Sequence, residues 1–357
     1  MSLWNILDML RRMQHAFPLV EVKYDPDTVT TPVVLHIRPH LDLLFSGYHQ
    51  RLHTICIRKP RDLNPPITLK YKEHVLSSPD EVLRRLGVNR TFGPTYPGDE
   101  LRYPGVSFGF DVDGRGEALK SSNHPEDRMQ EVRRVVITQK SQEGERRDAL
   151  DEVSECEAMA GEVERAVVKI HDGITLQFHP SSSTQIRIKL GISSAQDLIC
   201  DLGPPLRIHY KEDDRMTIHA RSLDREGDSD TDYFYNYLQY GVDFLIDGST
   251  HLVKKIVLHT NIPGSPLFQR YKRCPWEIEG RPEDNEDETP PRMRFFDRAD
   301  QIRHFLGPEQ SPPSMLLDRT DDEEALTLPG SITRLVGYDG LVLETTESSQ
   351  VASVTLF

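Results

Sequence analysis

Apolar and polar positions alternate along this chain in a frame that returns five times: a glycine, alternating apolar residues, a polar turn, then a second spaced apolar run. Gly173-Ile174-x-Leu176-x-Phe178 is its clearest form. Gly105-Val106-x-Phe108-x-Phe110, Gly241-Val242-x-Phe244-x-Ile246 and Gly340-Leu341-x-Leu343-x-Thr345 follow it, and His40-Leu41-x-Leu43-x-Phe45 has His in place of Gly. Four copies continue into an apolar-x-x-apolar-x-apolar run: Leu52/Ile55/Ile57, Val132/Val135/Ile137, Val253/Ile256/Leu258 and Val351/Val354/Leu356. The fifth is stricter, Ile186/Ile188/Leu190. A period of two puts every second side chain on one face, so each copy predicts a β-hairpin with one buried face.

Short helices are predicted between the hairpins. Ser78-Pro79-Asp80-Glu81 leads to Leu86-Gly87, and Ser194-Ala195-Gln196-Asp197 leads to Leu202-Gly203. Ser78 and Glu81 have capping-box spacing, and Pro79 falls at the first helical position, where its missing N–H costs nothing. Gly87 and Gly203 are the expected left-handed terminators. A third version runs from Asp297 to Leu306-Gly307-Pro308 with Ile302 and Phe305 on its stripe. Leu3-Trp4-x-x-Leu7 with Leu10 predicts a longer helix at the amino terminus. Helices of about two turns are not stable alone and need a sheet to bury their stripe. The expected fold is α+β, built of repeated units of one short helix packed on an antiparallel β-sheet. Its element order is similar, by analogy only, to BamE-like and β-lactamase-inhibitor-like modules.

Composition excludes several function classes. Acidic residues number 57 against 43 basic, for a net charge of -14. That balance argues against nucleic-acid binding, which needs a basic face to release counterions. It also argues against purely electrostatic adhesion to anionic lipid. No apolar run approaches the roughly 20 residues that span a bilayer. Asp8 and Arg11 interrupt the first apolar stretch, which reads as no secretory signal. Cys56, Cys156, Cys200 and Cys274 are isolated from one another and read as reduced thiols of an intracellular protein.

Hydrophilic segments separate the patterned ones. The expected organisation is helix/hairpin units over 1–139, a polar linker over 140–162, a central unit over 163–278, an acidic linker over 279–296 and a helix/hairpin unit over 297–357. Polar runs at Lys140 to Glu162, Ser222 to Asp232, Glu279 to Arg292 and Asp321 to Glu324 hold too little apolar surface to offset ordering entropy, so they read as mobile loops. Ser229, flanked by acids, is a candidate phosphorylation site, although acidic Ser-rich loops are common surface material.

Chemistry-bearing motifs are scarce. Gly105-Val106-Ser107 and Asp247-Gly248-Ser249 do not form a G-x-S-x-G nucleophile turn. Gly114-Arg115-Gly116 lies between two strands, so no dinucleotide cradle follows. His251 and His259 share a strand face but stand too far apart for one metal. Neither a catalytic residue, a cofactor nor a metal is assigned. Trp4-Asn5-Ile6-Leu7 and Tyr338-Asp339-Gly340-Leu341 match the loose aromatic-x-x-Leu signature that adds as a strand to ubiquitin-like autophagy proteins. The first is better read as helix core, the second as turn and strand. Asn89-Arg90-Thr91 is a glycosylation sequon only in a secreted chain.

Two clusters carry more information. From Gly87 to Gly105, Gly and Pro are dense enough to fix one loop path. Leu258 to Gly264, followed by Phe268 to Cys274, mixes aromatics with three cations in an otherwise acidic chain. It reads equally as a partner surface, where Arg and Tyr are enriched, or as a strand extension with packed aromatics and solvated cations.

The strings Asn89-Arg-Thr-Phe-Gly-Pro-Thr-Tyr-Pro-Gly98, Tyr103-Pro-Gly-Val-Ser-Phe-Gly-Phe110, His259-Thr-Asn-Ile-Pro-Gly264, Tyr271-Lys-Arg-Cys274 and Ala352-Ser-Val-Thr-Leu356 resemble the eukaryotic phagosome assembly factor family, sometimes called lin-10-like. The resemblance runs from the Gln50-Arg51-Leu52 turn to the carboxyl terminus. It implies a non-enzymatic cytoplasmic protein of autophagy, recruited to the phagophore assembly site in complex with a β-propeller protein that binds phosphoinositides. Membrane association would then be indirect. Family members enter their first helix through a glycine-containing stretch that this sequence lacks, which implies a truncated or differently started first unit. Expected partner contacts are Arg90, Phe92, Tyr96 and Arg102 in the first cluster, and Phe268, Arg270, Tyr271, Lys272 and Arg273 in the second. The alternative class is a direct lipid-binding or lipid-carrier protein of the endomembrane system, which needs a large apolar cavity between helix and sheet.

Overall fold

A computed structural model describes residues 1–60, 68–96, 98–110, 128–139, 152–153, 155–211, 231–265, 267–280, 290–307, 312–318 and 332–357. Ser229, Gly114 to Gly116, Asp321 to Glu324 and 281–289 of the acidic segment lie outside the described residues, as does most of 140–154. The chain divides into two compact units, Met1–Asp25 with Thr31–Ser154, and Pro26–Thr30 with Glu155–Phe357.

In the first unit the helix α1 (Leu3–Arg12) precedes strands β1 (Val20–Lys23), β2 (Val33–Ile37), β3 (Leu41–Phe45) and β4 (Leu52–Arg58). The hairpin β5 (Leu69–Tyr71) and β6 (His74–Ser77), helix α2 (Arg85–Phe92), and strands β7 (Glu100–Tyr103), β8 (Val106–Phe110) and β9 (Val132–Thr138) follow. Seven strands form one antiparallel sheet in the order β1-β2-β3-β4-β9-β8-β7. Two meanders therefore meet back to back through β4 and β9. Val88 of α2 packs with Ile57, Leu101, Phe108 and Val135 in one apolar cluster.

In the second unit lie β10 (Val163–Lys169), β11 (Gly173–Phe178), β12 (Ile186–Lys189), helix α3 (Ala195–Leu202), β13 (Arg207–Tyr210), β14 (Tyr233–Tyr237), β15 (Val242–Ile246) and β16 (Val253–His259). Then come β17 (Trp276–Glu279), β18 (Arg292–Arg294), helix α4 (Ala299–Leu306), β19 (Ser314–Asp318), β20 (Ile332–Tyr338), β21 (Leu341–Thr345) and β22 (Val351–Leu356). An eight-stranded sheet has the order β13-β14-β15-β16-β22-β21-β20-β19, again two meanders joined through their last strands. A five-stranded sheet, β12-β11-β10-β17-β18, contains a parallel pair, β10 with β17. The α+β class holds, with sheets mostly antiparallel. The parallel pair is tolerated because a long excursion separates its strands, and its Ala166, Val168, Trp276 and Ile278 are all buried.

All five hairpin frames pair antiparallel, and Phe108, Phe178 and Phe244 are buried. Their registers explain the two spacings in the sequence. Ladders β3–β4, β8–β9, β15–β16 and β21–β22 each slip by one residue, between Leu44/Phe45, Gly109/Phe110, Leu245/Ile246 and Glu344/Thr345. The extra residues are His53, Arg133, Lys254 and Ala352, which fill the x-x gap of the apolar-x-x-apolar pattern. The β11–β12 ladder, with strict alternation in its second strand, has no slip. A three-residue gap between inward positions is thus a β-bulge written in sequence.

Each helix docks beside such a slip. The first helical N–H of α1, α2, α3 and α4 donates to the carbonyls of Gln50, Gln130, His251 and Ser349, at 2.8, 2.9, 2.9 and 2.9 Å. Three of these acceptors hold left-handed backbone without being glycine: Gln50 (φ 51), His251 (φ 55) and Ser349 (φ 59). That conformation costs about 1–2 kcal/mol per residue, so the docking geometry must over-determine it. At the other end, Tyr237 Oη donates to Gly203 O at 2.8 Å and Tyr103 Oη to Gly93 O at 2.8 Å, tying the ends of α3 and α2 to a strand.

Helix α3 begins at Ser194, whose Oγ accepts from Asp197 N at 3.2 Å while Asp197 Oδ2 accepts from Ser194 N at 2.8 Å, and ends at Gly203 (φ 79) as expected. Helix α2 departs from the expectation. Ser78 and Glu81 close a turn instead, with Glu81 N donating to Ser78 Oγ at 3.1 Å. Leu83 and Arg84 then bridge to β9, so the helix starts only at Arg85 and Gly87 lies inside it. Gly93 (φ 90) is the real terminator. Tertiary bridging overrode the cap, since Val132 N donating to Leu83 O needs extended backbone. Glu279 and Arg292, read as loop, are strand residues, and Arg292 bridges to Glu279 at 3.0 Å.

Replacing Phe244, wholly buried on β15, by Ala should cost about 3–5 kcal/mol in urea unfolding. Burial pushes the hydroxyl of Tyr233 from 10.0 up to about 12, and it raises those of Tyr237 and Tyr271 as well. Tyrosines of the unfolded chain ionise at about 10. Stability from these neutral phenols is therefore complete below about pH 10 and lost as pH rises through the folded values. A melting-temperature series from pH 8 upward, read beside tyrosinate absorbance, should fall together with a delayed ionisation.

Candidate functional site

The connection from His259 to Trp276 folds back on the β14–β15–β16 meander and is fixed by side-chain hydrogen bonds. His259 Nε2 meets Asp243 Oδ2 at 2.8 Å with both side chains buried, and Asn236 Nδ2 donates to Asp243 Oδ1 at 2.8 Å. Tyr271 stacks on the His259 ring, centroids 3.7 Å apart. Desolvation, with Asp243 nearby, raises the Tyr271 hydroxyl above its usual range. Asn261 takes left-handed backbone (φ 51), and its Oδ1 accepts from Gln269 N at 3.2 Å. Gly241 is obligatory beneath this link, because a Cβ there would stand 2.1 Å from Lys272 O.

Arg273 is the centre of the link. It is 4% exposed, and donates from Nε to Thr260 O at 2.9 Å and from Nη2 to Val29 O at 2.9 Å, with its guanidinium over the Phe295 ring. Trp276 Nε1 donates to Thr260 Oγ1 at 2.9 Å. Lys272 pairs with Glu162 at 2.8 Å with both side chains mostly covered. Of the expected contacts in the second cluster, Phe268, Tyr271 and Arg273 are buried, Lys272 is mostly covered, and only Arg270 is exposed. The aromatics Phe268 and Tyr271 pack as the second reading expects, but two of its three cations are not solvated. Lys272 and Arg273 are covered, and Glu162 and backbone carbonyls satisfy them where water cannot.

The first cluster is different. Phe92 sits half-buried in an aromatic group, 4.5 Å from Tyr71, 5.2 Å from Tyr103 and 5.3 Å from Phe108 between centroids. The loop beyond it is pinned by Arg85 Nη2 donating to Gly98 O at 2.8 Å and Thr95 Oγ1 donating to Arg102 O at 3.1 Å. It presents Tyr96 at 91% exposure, with Arg90 and Arg102 also at the surface. Arg102 bridges to Glu100 at 3.1 Å. The loop is thus held in place and displays Tyr96 between two surface cations.

Two cavities in the second unit bear on ligand chemistry. One, of about 10 Å³ beside His259, Asn261, Ser265 and Glu344, has room for a single water. The other is an open groove of about 420 Å³ lined by His171, Asp247, Lys254 and Phe357. Neither is a closed apolar chamber. Among the described residues no group of His, Cys, Asp and Glu could hold a metal ion, and no helix is long and apolar enough to cross a membrane.

Arg273→Ala should cost about 1–3 kcal/mol for each carbonyl left without a donor, read by urea unfolding, whereas Arg270→Glu should stay within about 0.5 kcal/mol. Equal effects would show that the two arginines are wrongly divided between core and surface.

The family model described as phagosome assembly factor 1 matches residues 1–357. A PHAF1 protein of Arabidopsis thaliana is 29% identical, covering 100% of this chain and 89% of its own length. Those of Caenorhabditis elegans and Drosophila melanogaster are 26% and 27% identical, covering 100% and 92% of this chain and 89% and 83% of their own lengths. No solved structure matches. With the whole chain inside the match, and with the loop and link that carry the resemblance now placed in the fold, the chain belongs to the phagosome assembly factor 1 family.

Proposed function

We propose that this chain is a non-enzymatic adaptor in autophagy that joins a phosphoinositide-binding β-propeller and is carried by it to the phagophore assembly site. The observation that carries this reading is the match of a phagosome assembly factor family over all 357 residues. Charge supports the indirect route to the membrane. At -14, adsorption to an anionic surface is unfavourable away from a local cationic patch, so recruitment falls to a partner. The surface offered to that partner is the loop of Arg90, Tyr96 and Arg102, with Phe92 bracing it from beneath and Arg270 as a separate exposed cation. Neither the water-sized cavity nor the open groove of mixed lining encloses a lipid chain.

The same reading takes α1 through β4, α2 through β9, α3 through β16 and α4 through β22 as four copies of one helix-on-meander unit. The shared slip and the shared docking bond support it, and the analogy with BamE-like modules rests on it. Four rigid meanders give an adaptor exposed turns and edges without requiring a cleft.

Liposome flotation tests the assignment. Purified protein should stay in the soluble fraction with phosphoinositide vesicles and float when the propeller is added. Combined Arg90→Glu, Tyr96→Ala and Arg102→Glu should abolish co-flotation by about tenfold or more with an unchanged melting temperature, as expected for hot-spot loss. Flotation of the chain alone would favour a direct lipid binder and overturn the adaptor reading.

A further inference from the structure

The eight-stranded sheet ends in two edge strands, β13 and β19. Strand β13 pairs with β14 on one side only, and no strand pairs with its outer side among the described residues. The ladder extends to Lys211, whose N–H donates to Asp232 O at 2.9 Å, while Leu206 N donates to Asn236 O at 3.1 Å. The paired edge is thus the four residues Arg207–Tyr210, about 13 Å long, with Leu206 in a bend before it and Lys211 bonded just after it. Protein edges are usually blunted by short length, charged side chains, proline, a bulge or a covering element, and β13 uses the first two without being covered by a described strand. Here Pro204 and Pro205 guard only the entrance.

The two faces of β13 differ in chemistry. Ile208 stands opposite Tyr235 and Tyr210 opposite Tyr233, on the face where those partners are buried. Helix α3 covers this face over β14, where Tyr237 Oη reaches Leu198 O and Gly203 O, but leaves β13 uncovered. Ile208 and Tyr210 consequently stand 46% and 60% exposed, continuing the core past its cover. The opposite face carries the cations Arg207 and Lys211 on either side of His209, in a chain of net charge -14. An occupant that completes the ladder must place apolar side chains on the first face and acidic ones on the second.

We propose that the outer edge of β13 takes an extended segment of a partner protein, alternating apolar and acidic residues, as an added strand. Main-chain hydrogen bonds supply affinity, while the apolar face and the two cations set register and sign. A second copy of this chain fits poorly. Antiparallel pairing of two β13 edges brings Arg207 opposite Lys211, and like charges directly opposite destabilise a ladder. The inference deepens the adaptor reading by naming a docking edge, and its test is separable. A failed peptide titration with intact co-flotation removes this edge alone, and failed co-flotation removes the adaptor reading.

Fluorescence anisotropy with the full chain and a labelled peptide of about eight residues, alternating Val and Glu, tests it at low and moderate salt. The expected result is saturable binding, weaker at higher salt, with no binding of the same composition in block order or of a Val/Lys peptide. The Lys211 N–H points toward β14, so by alternation the Ile208 N–H points outward, and proline is tolerated on such an edge. Ile208→Pro should then weaken binding by about tenfold or more while circular dichroism stays native. Arg207→Glu with Lys211→Glu should transfer preference from the Val/Glu to the Val/Lys peptide, which decides the question even if the proline variant fails to fold. Equal binding of both charge types, no binding, or indifference to the charge swap would overturn the proposal. So would a concentration-dependent dimer in sedimentation that the charge swap abolishes, since the occupant would then be a second copy.

Discussion

A helix of two turns does not hold itself together in water, and this fold answers that constraint at four places. Helices α1 to α4 span ten, eight, eight and eight residues. Each gives its first N–H to the residue two positions before a bulged strand, so the hairpin supplies a partner that the helix cannot find within itself. Where a tyrosine of the sheet also takes the terminal glycine carbonyl, as Tyr237 does for Gly203, both ends are fixed. The bulge and the docking bond depend on one another. The slip re-aims the turn toward the helix, and the helix stabilises the left-handed Gln50, His251 or Ser349 on which the turn relies.

The second consequence is the density of polar contacts in the 259–276 link. Its histidine, tyrosine, lysine and arginine are spent on Asp243, Glu162 and backbone carbonyls. A segment without regular secondary structure must satisfy its own buried N–H and C=O groups by other means. Arg273 serves well because one planar cation donates in several directions at once. A motif rich in hot-spot residue types can therefore be an internal brace, and exposure is what separates the two uses.

With that segment folded inward, the surface chemistry of the chain is concentrated elsewhere. Tyr96 stands in a loop pinned by Arg85 and Thr95, and β13 offers an unfinished ladder between an apolar and a cationic face. Both are preorganised, which lowers the entropy lost on association. Neither needs a cleft.

The hairpins were legible because period-two burial is a local rule. Gly173 to Phe178 and Val242 to Ile246 could bury one face in no other way, and even the bulges were present as three-residue gaps before Ile55, Val135, Ile256 and Val354. The α3 cap and its Gly203 stop were legible for the same reason, since both act within one turn. Helix α2 was misplaced because its apparent cap, Ser78 with Glu81, competes with a bridge to β9 from which it is separated by some fifty residues of sequence. The meeting of β4 with β9 and of β16 with β22, the parallel β10–β17 pair, and the burial of Arg273 rest likewise on partners distant in sequence. Spacing cannot report such partners: only when the sheets close does a long-range backbone group become nearer than water, and that decides which polar residues brace the fold and which remain for a partner.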